Sequence, residues 1–408
     1  MKILLVNKFL YPRGGAETYF LRIGEYLEKQ GHEIQYFGMQ DPKNTVGNAL
    51  NLSTRNMDFH SHSLQRFLYP FHIVYSGEAK KKIKQVAKNF KPDVVHFNNI
   101  NFQLTPSVID GISELGIPMV QTVHDLQMLC PNHLMLDLNT KTPCEKCLAG
   151  SKWPCVSGRC IHGSLPKSLI GSVEGELYRR RPTYRKVDRY ICPSRFIESM
   201  LLRDKRFQGK TVHIQNFIEK DPGRAADSEY KKVFSKKDYV LYFGRLSEEK
   251  GIIRLLDACR LIPDIPFVIA GSGPEERLLK ENCPSNVTYV GFKTGEALKK
   301  LISEALFSVY LSVWYENCPL SILESQTCGT PVIANRIGGI PELVEDGQTG
   351  ILIDEFTPEN YAGKIQSLYE DRTLLAEMTE NCLKKTDYLT LEKYCSRLLG
   401  VYEEVIGR

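Results

Sequence analysis

The residues best equipped for chemistry lie in two stretches. The first, Gly244-Arg245-Leu246-Ser247-Glu248-Glu249-Lys250-Gly251, sets two cations five positions apart between glycines; the second, residues 312–334, carries Glu316 and Glu324. An arginine can bind two oxygens at once and a lysine adds a point charge, so this spacing after a strand end makes a clamp for a diphosphate. Solvated surface charges are the plainer alternative. In SVWYENCPLSILESQTCGTPVIA, the expected N-cap is Asn317, Pro319 falls in the first helical turn, and Gly329 is a left-handed stop before Thr330-Pro331. A short strand, Val332-Ile333-Ala334, follows. The helix start offers free N–H groups and a positive dipole end to a phosphate, and Pro319 subtracts one donor. Eight helical residues rise about 12 Å. The two glutamates therefore do not read as an acid/base pair on one atom; they suit the two ends of one ligand, accepting hydroxyl hydrogen bonds. A ligand with hydroxyls at both ends and phosphate between them is a nucleotide sugar.

Composition sets the frame for this site. At 408 residues, with 42% hydrophobic and 25% charged, the chain has the length and make-up of two ordinary globular domains. The opening MKILLV stops at Asn7-Lys8, too short for a secretory core, and nowhere does an apolar run reach membrane-spanning length. A cytoplasmic protein, at most touching the inner face of a membrane, is expected. The formal charge of +5 hides an asymmetry: residues 1–220 hold 31 Lys+Arg against 19 Asp+Glu, and the remainder 22 against 29. A basic front half points to an anionic partner, a membrane surface or a phosphate-bearing acceptor.

Along the chain, strands alternate with helices, the pattern of parallel sheets with right-handed crossovers. Residues 2–7 read as a strand, and Gly14-Gly15 as a turn into a helix with Tyr19, Phe20, Ile23, Tyr26 and Leu27 on its apolar face. Strand–glycine loop–helix units let backbone N–H groups approach phosphate, although this spacing is not G-x-G-x-x-G. Residues 40–75 are polar, and their histidines show no ligand spacing. Residues 78–90 form a helix with Ala79, Ile83, Val86, Ala87 and Phe90 on one face and five lysines elsewhere, a solvated basic face or a contact with anionic lipid. His124-Asp125 ends the strand that starts at Pro118, the end at which open α/β sheets bind ligands. Arg179-Arg180-Arg181 suits a helix C-terminus and could also meet the pyrophosphate of a lipid-linked acceptor.

Four thiols crowd the loop 130–162: Cys144-x2-Cys147 and Cys155-x4-Cys160, with Cys130, His133 and His162 nearby. Four thiolates can close a tetrahedral structural zinc site, and Cys-x-x-Cys is half of one. Reduced packed thiols and a redox pair are the other readings.

Read in order, Gly14-Gly15-Ala16-Glu17, His124-Asp125, Asn216 after a strand, Gly244 to Gly251, and Glu316-x7-Glu324 resemble the retaining glycosyltransferases of family four, across nearly the whole chain. The resemblance implies a GT-B fold, two Rossmann-like doubly wound parallel-sheet domains facing a cleft. The expected divisions are an acceptor domain at 1–218, a linker at 219–237, a nucleotide-sugar domain at 238–388, and a helix at 389–408 crossing back to the first domain. It further implies a hexosyltransferase: Arg245 and Lys250 on the donor phosphates, Glu316 by the sugar hydroxyls and His124 near the reacting centre. Gly14, Gly15, Asn216, Gly244, Phe292, Asn317, Cys318, Leu320 and Glu324 complete the donor site, Glu324 on the ribose and the end of the strand at 287–293 bordering the base. Cys318-Pro319 departs from the family's Glu-Gly-Phe-Gly pattern, so sugar contacts do not carry across directly. Expected partners are a UDP-sugar and a glycan or polyprenyl-diphosphate-linked acceptor in bacterial polysaccharide assembly, with no cofactor needed for the chemistry. The rivals are a nucleotide-sugar epimerase and a non-catalytic partner subunit. A nucleic-acid module is disfavoured, since no aromatic residues interleave the basic ones.

Overall fold

The computed structural model describes residues 1–56, 73–148, 150–218, 237–386 and 389–408. Part of the segment holding the histidines at 40–75, and all of the expected linker except Lys237, lie outside the described residues. Contacts divide the chain into two compact units. One comprises Met1–Thr140, Cys144–Gln215 and Leu391–Arg408; the other comprises Lys141–Pro143 and Asn216–Thr390.

The first unit is built on a parallel sheet of β1 (Lys2–Val6), β2 (Glu33–Phe37), β3 (Val94–Phe97), β4 (Met119–Thr122), β7 (Arg189–Cys192) and β8 (Thr211–His213), in the order β2-β1-β3-β4-β7-β8. The short strands β5 (Leu136–Asp137) and β6 (Thr142–Pro143) fall in the cysteine-rich segment. Central strands β1, β3 and β4 are buried along nearly their whole length because helices cover both faces of such a sheet. The helices are α1 (Gly15–Lys29), α2 (Gly77–Phe90), α3 (Ser107–Ser113), α4 (Pro154–Ser157), α5 (Leu165–Arg180), α6 (Arg195–Leu202) and, from the chain's end, α13.

Helix α2 shows how pattern becomes packing. Ser76 caps it by accepting from the Ala79 N–H, and its buried residues are Ala79, Ile83, Val86, Ala87 and Phe90, the face read from periodicity. Of its lysines, Lys80 and Lys84 pair with Glu114 and Lys82 with Glu78. The arginine triplet at the end of α5 is likewise engaged, Arg179 and Arg180 with Glu176, and Arg181 with Asp110.

The second unit repeats the plan with β9 (Val240–Arg245), β10 (Phe267–Ser272), β11 (Val287–Tyr289), β12 (Phe307–Tyr310), β13 (Val332–Asn335) and β14 (Gly350–Ile353), all parallel, in the order β11-β10-β9-β12-β13-β14. The order reverses between β9 and β12, the switch point at which such sheets open a crevice beyond their strand ends. Helices α7 (Ile252–Leu261), α8 (Glu276–Glu281), α9 (Gly295–Glu304), α10 (Leu320–Thr327), α11 (Pro358–Glu370) and α12 (Arg372–Lys385) pack around it. One core gathers Val240, Phe267, Phe307, Leu255 and Tyr361, and a second gathers Ile322, Leu323, Val332 and Ile340.

Helix α13 (Leu391–Ile406) packs within the first unit through polar groups the sequence did not advertise. Its Tyr394 hydroxyl bonds to that of Tyr19, which lies 3.3 Å from Thr122 Oγ1. His96 of β3 joins Tyr402 Oη to Nδ1 at 2.7 Å and Thr122 Oγ1 to Nε2 at 2.8 Å. The buried chain is satisfied end to end, which is the condition for such a network to hold a helix rather than weaken the core.

Candidate functional site

In the second unit the chemistry gathers on segments that leave β9 and β12 and on the start of α10. Arg245 is the last residue of β9; it is exposed and has no ion-pair partner among the described residues. A single 3-10 turn, Glu248–Lys250, then delivers Lys250 before Gly251 opens α7. Gly251 is dictated twice: its φ is 78°, and a Cβ there would sit 2.0 Å from the Leu311 carbonyl oxygen. That close approach lets the Val313 N–H donate to the Glu249 carbonyl at 3.0 Å, tying the two segments together.

Lys250 and Glu316 meet here, with Nζ 2.6 Å from Oε1. The same oxygen accepts from Ser312 Oγ at 2.5 Å and from the Trp314 indole N–H. Lys250 also reaches Tyr310 Oη at 3.0 Å, and its ammonium lies 5.1 Å from the Trp314 ring centroid. Burial alone would push the Glu316 carboxyl up, but the Lys250 charge and the three donors outweigh it and hold the group below its ordinary value. Glu316 is thus a buried, ionised acceptor held in place by these donors. Its backbone is seated on Gly338-Gly339: the Gly339 N–H donates to the Glu316 carbonyl at 2.8 Å, and a Cβ on Gly338 would meet that oxygen at 2.3 Å. Ser312, Trp314 and the two glycines were not singled out from sequence.

The helix of the carboxylate motif starts later than expected. Leu320 is the first residue of α10 and Pro319 occupies the cap position, extended and without a side-chain cap, so Asn317 is not the N-cap and Pro319 is not inside the helix. Pro319 cannot continue a helix backwards, because its ring crowds the preceding residue. Glu316 therefore lies on irregular chain and only Glu324 is helical. Gly329, at φ 66°, does end the element. Glu324 is half-buried, and burial raises its carboxyl. Cys318 is buried, and burial pushes its thiol up to about 12. The Asn216 side-chain oxygen is buried without a partner. Gly244 takes φ 144° on β9, Asn317 lies on the loop before Cys318, and Phe292 stands exposed just after β11.

The first unit has its own polar pocket at the ends of β1, β3 and β4. Lys8, Asn98, Asn101, Gln121, His124, Asp125 and Gln127 line it. His124 Nε2 bonds to Asn98 Oδ1 at 2.8 Å, its ring packs edge-on against Tyr19, and burial lowers it to about 4, so the imidazole is neutral. Burial also lowers Lys8, with Asp125 and Glu17 opposing. Three amide atoms there, Asn101 Oδ1, Gln121 Oε1 and Gln127 Nε2, are buried with no hydrogen-bond partner among the described residues. Gly14 caps α1 in extended conformation and Gly15 is its first residue.

The expected zinc ligands Cys144, Cys147, Cys155 and Cys160 line one pocket together with Cys130. Among the described residues no three His, Cys, Asp or Glu side chains are arranged to hold a metal ion. Cys155 lies within the short helix α4 and Cys160 just beyond it, where the Cys160 N–H donates to the Cys155 carbonyl at 3.0 Å.

Two family models cover this chain. Glycosyltransferase Family 4 matches residues 13–221 and Glycosyl transferases group 1 matches residues 224–385. The chain belongs to glycosyltransferase family 4. This family 4 enzyme has the GT-B fold, and glycosyl transfer is its activity. It is 30% identical over 221 residues to the alpha-D-kanosaminyltransferase of Streptomyces kanamyceticus, a match spanning 50% of this chain and 57% of that protein. Among solved structures, sucrose-phosphate synthase of Thermosynechococcus elongatus superposes with TM-score 0.71 at 19% identity, covering 100% of this chain and 99% of that one. Anabaena HepE in complex with UDP-glucose gives 0.66 at 17% identity, with 99% and 100% coverage. No helix among the described residues is long and apolar enough to cross a membrane.

Proposed function

We propose that this glycosyltransferase is a retaining enzyme that moves the sugar of a nucleotide-diphosphate sugar, a UDP-sugar first, to a hydroxyl of a glycan or polyprenyl-diphosphate-linked acceptor in bacterial polysaccharide assembly. The observation that carries the donor reading is the Lys250–Glu316 contact, at 2.6 Å, on the same segment as the unpartnered Arg245. A structural neighbour bound to UDP-glucose supports the same class of donor.

In this reading Arg245 and Lys250 take the diphosphate, aided by the N–H groups at the start of α10, and Glu324 accepts from the ribose. Glu316 accepts a sugar hydroxyl while Lys250 is shared with a phosphate oxygen. Negative charge grows on the diphosphate as the glycosidic bond breaks. Fixed cations and N–H groups answer that charge without reorganising, a contribution worth about 3 kcal/mol per donor in comparable sites. No side chain in this set stands as a nucleophile. A donor phosphate oxygen then takes the proton of the acceptor hydroxyl, which attacks from the face the diphosphate leaves and so keeps the anomeric configuration. Two cations supply the charge, so the step needs no divalent metal. The neutral His124 with its unpartnered amide neighbours suits hydroxylated ligands. The basic front half of the chain suits approach to anionic lipid.

The test is thermal stabilisation by a panel of UDP- and GDP-sugars, followed by proton NMR of the product's anomeric centre. One donor that stabilises and is turned over with retention supports the reading. Inversion, or stabilisation by none, removes it.

A further inference from the structure

Helix α5 is built inside out. The residues it buries are Ser168, Gly171, Ser172, Glu174, Glu176 and Tyr178, none of them aliphatic. Its aliphatic residues face outward: Leu165, Leu169 and Val173, spaced by four, are 49%, 46% and 41% exposed. At that spacing they form one stripe about 12 Å long. A surface helix ordinarily does the reverse and turns its apolar stripe to the core.

The orientation is fixed by the segment 152–161 packed beneath the helix. Ser172 Oγ donates to the Lys152 carbonyl at 2.9 Å, and Ser168 Oγ accepts the Ile161 N–H at 3.0 Å. A Cβ on Gly171 would come within 2.4 Å of Ile161 Cδ1, and one on Gly175 within 3.1 Å of Lys152 Cγ. Small residues and satisfied hydroxyls hold that face down, so the stripe cannot roll inward. Trp153, next to Lys152 on the same segment, is 47% exposed. The charges at both ends of the helix are positive. Arg159 and Lys167, toward its start, are exposed and have no ion-pair partner among the described residues. Toward its end Arg179 and Arg180 share the one carboxylate of Glu176, and Arg181 and Lys186 share that of Asp110, which leaves a surplus of positive charge there too.

We propose that the outer face of α5, together with Trp153, seats in the headgroup region of an anionic lipid bilayer. The stripe Leu165, Leu169 and Val173 enters the acyl boundary, and the cations at either end meet lipid phosphates. With 16 residues the helix is too short to span a bilayer and lies along it. An indole at the rim of such a face suits the membrane–water interface. A second copy of the chain fits less well: whether two such helices paired parallel or antiparallel, positive end would meet positive end. The lysines of α2, the sequence's candidate for lipid contact, are engaged by Glu78 and Glu114, which moves that contact to α5. The proposal rests on the reading of a lipid-linked acceptor and deepens it by naming the surface that meets the lipid.

The experiment sediments the full chain with sucrose-loaded vesicles of phosphatidylcholine and phosphatidylglycerol, and with vesicles of phosphatidylcholine alone. The wild type should pellet with the anionic vesicles and stay in solution with the neutral ones. Leu169→Glu combined with Val173→Glu should weaken the binding about tenfold or more. Arg159→Gln and Lys167→Gln should each weaken it about fivefold, the size of one cation at a lipid surface. Lipids brominated on their acyl chains should quench the wild-type fluorescence, and Trp153→Phe should lose that quenching. Wild type that ignores anionic vesicles, pellets equally with neutral ones, or binds as well with both glutamates in place would overturn the proposal. So would a wild-type dimer in analytical ultracentrifugation that the two glutamates abolish. Quenching of the wild type decides even if the double variant misfolds. None of these readouts involves a sugar. A chain that turns over its donor and ignores vesicles loses only this surface, whereas one that binds vesicles and no nucleotide sugar loses only the transfer reading.

Discussion

Replacing Lys250 by Met removes the cation from a carboxylate that is nearly out of water. The two side chains are 19% and 9% exposed, with Nζ and Oε1 2.6 Å apart. Stripping one partner from such a pair costs about 3–5 kcal/mol, because the other charge stays behind. The low end applies here. Ser312 and Trp314 still donate to Glu316, and the carboxyl can relieve itself by taking a proton once Lys250 no longer holds it down. A loss of about 3 kcal/mol corresponds to roughly 6–12 °C in the unfolding midpoint of a domain this size. Glu316→Gln in the Lys250→Met background removes the stranded charge, so the double variant should be more stable than Lys250→Met alone, with a coupling of roughly 2 kcal/mol. The assay is thermal unfolding followed by tryptophan fluorescence. The chain has two tryptophans, and Trp314 stacks under Lys250, so a Trp153→Phe background makes the signal local. Additive single effects, or a Lys250→Met midpoint equal to wild type, would refute the claim that the pair is a coupled unit.

Other outcomes follow from the same geometry. Arg245→Ala should lower turnover by about 10²–10³ while leaving the unfolding midpoint unchanged, since an exposed, unpartnered side chain carries no folding load; steady-state kinetics and a melt check both halves. Gly338→Ala should destabilise by about 1–3 kcal/mol or more and cut activity, because φ is 59° and the new methyl would meet the Glu316 carbonyl at 2.3 Å; denaturant titration reads it. Burial lowers His96 to about 3 and His124 to about 4 from an ordinary 6.5. The unfolded chain therefore binds protons that the folded one refuses, and stability is lost as pH falls from about 6.5 toward 4, by about 1.4 kcal/mol per pH unit per histidine. His96→Gln should flatten that slope in urea titrations at pH 7, 6 and 5. Activity should survive prolonged treatment with EDTA; abolition by the chelator and rescue by a divalent ion would contradict the metal-free step.

How much of this was legible beforehand depended on whether the signal was local. Ala79, Ile83, Val86, Ala87 and Phe90 announced the buried face of α2 because helical period is a local property. The β9 turn announced itself through Gly244 and Gly251, whose left-handed or otherwise restricted φ values only glycine tolerates easily. The start of α10 was misread because Asn317 and Pro319 both carry helix-start signals, and the choice between them is made by how Glu316 seats on Gly338-Gly339, some twenty positions downstream. The Tyr394–Tyr19–Thr122–His96–Tyr402 chain was illegible for the same reason. Its members are polar or aromatic residues scattered over the sequence, and only folding gives each a partner. The four cysteines had the count for a zinc site and share one pocket, yet among the described residues no three side chains are arranged to hold a metal ion, a geometry that spacing alone does not encode.

The most direct measurement of the account is calorimetric titration of the wild type, Arg245→Ala and Lys250→Ala with UDP and with GDP. The wild type should bind one of the two nucleotides, and each substitution should weaken that binding at least tenfold, the size of a lost charge-assisted contact of about 1.4 kcal/mol or more. Equal affinity in all three proteins, or no binding of either nucleotide to the wild type, would contradict it.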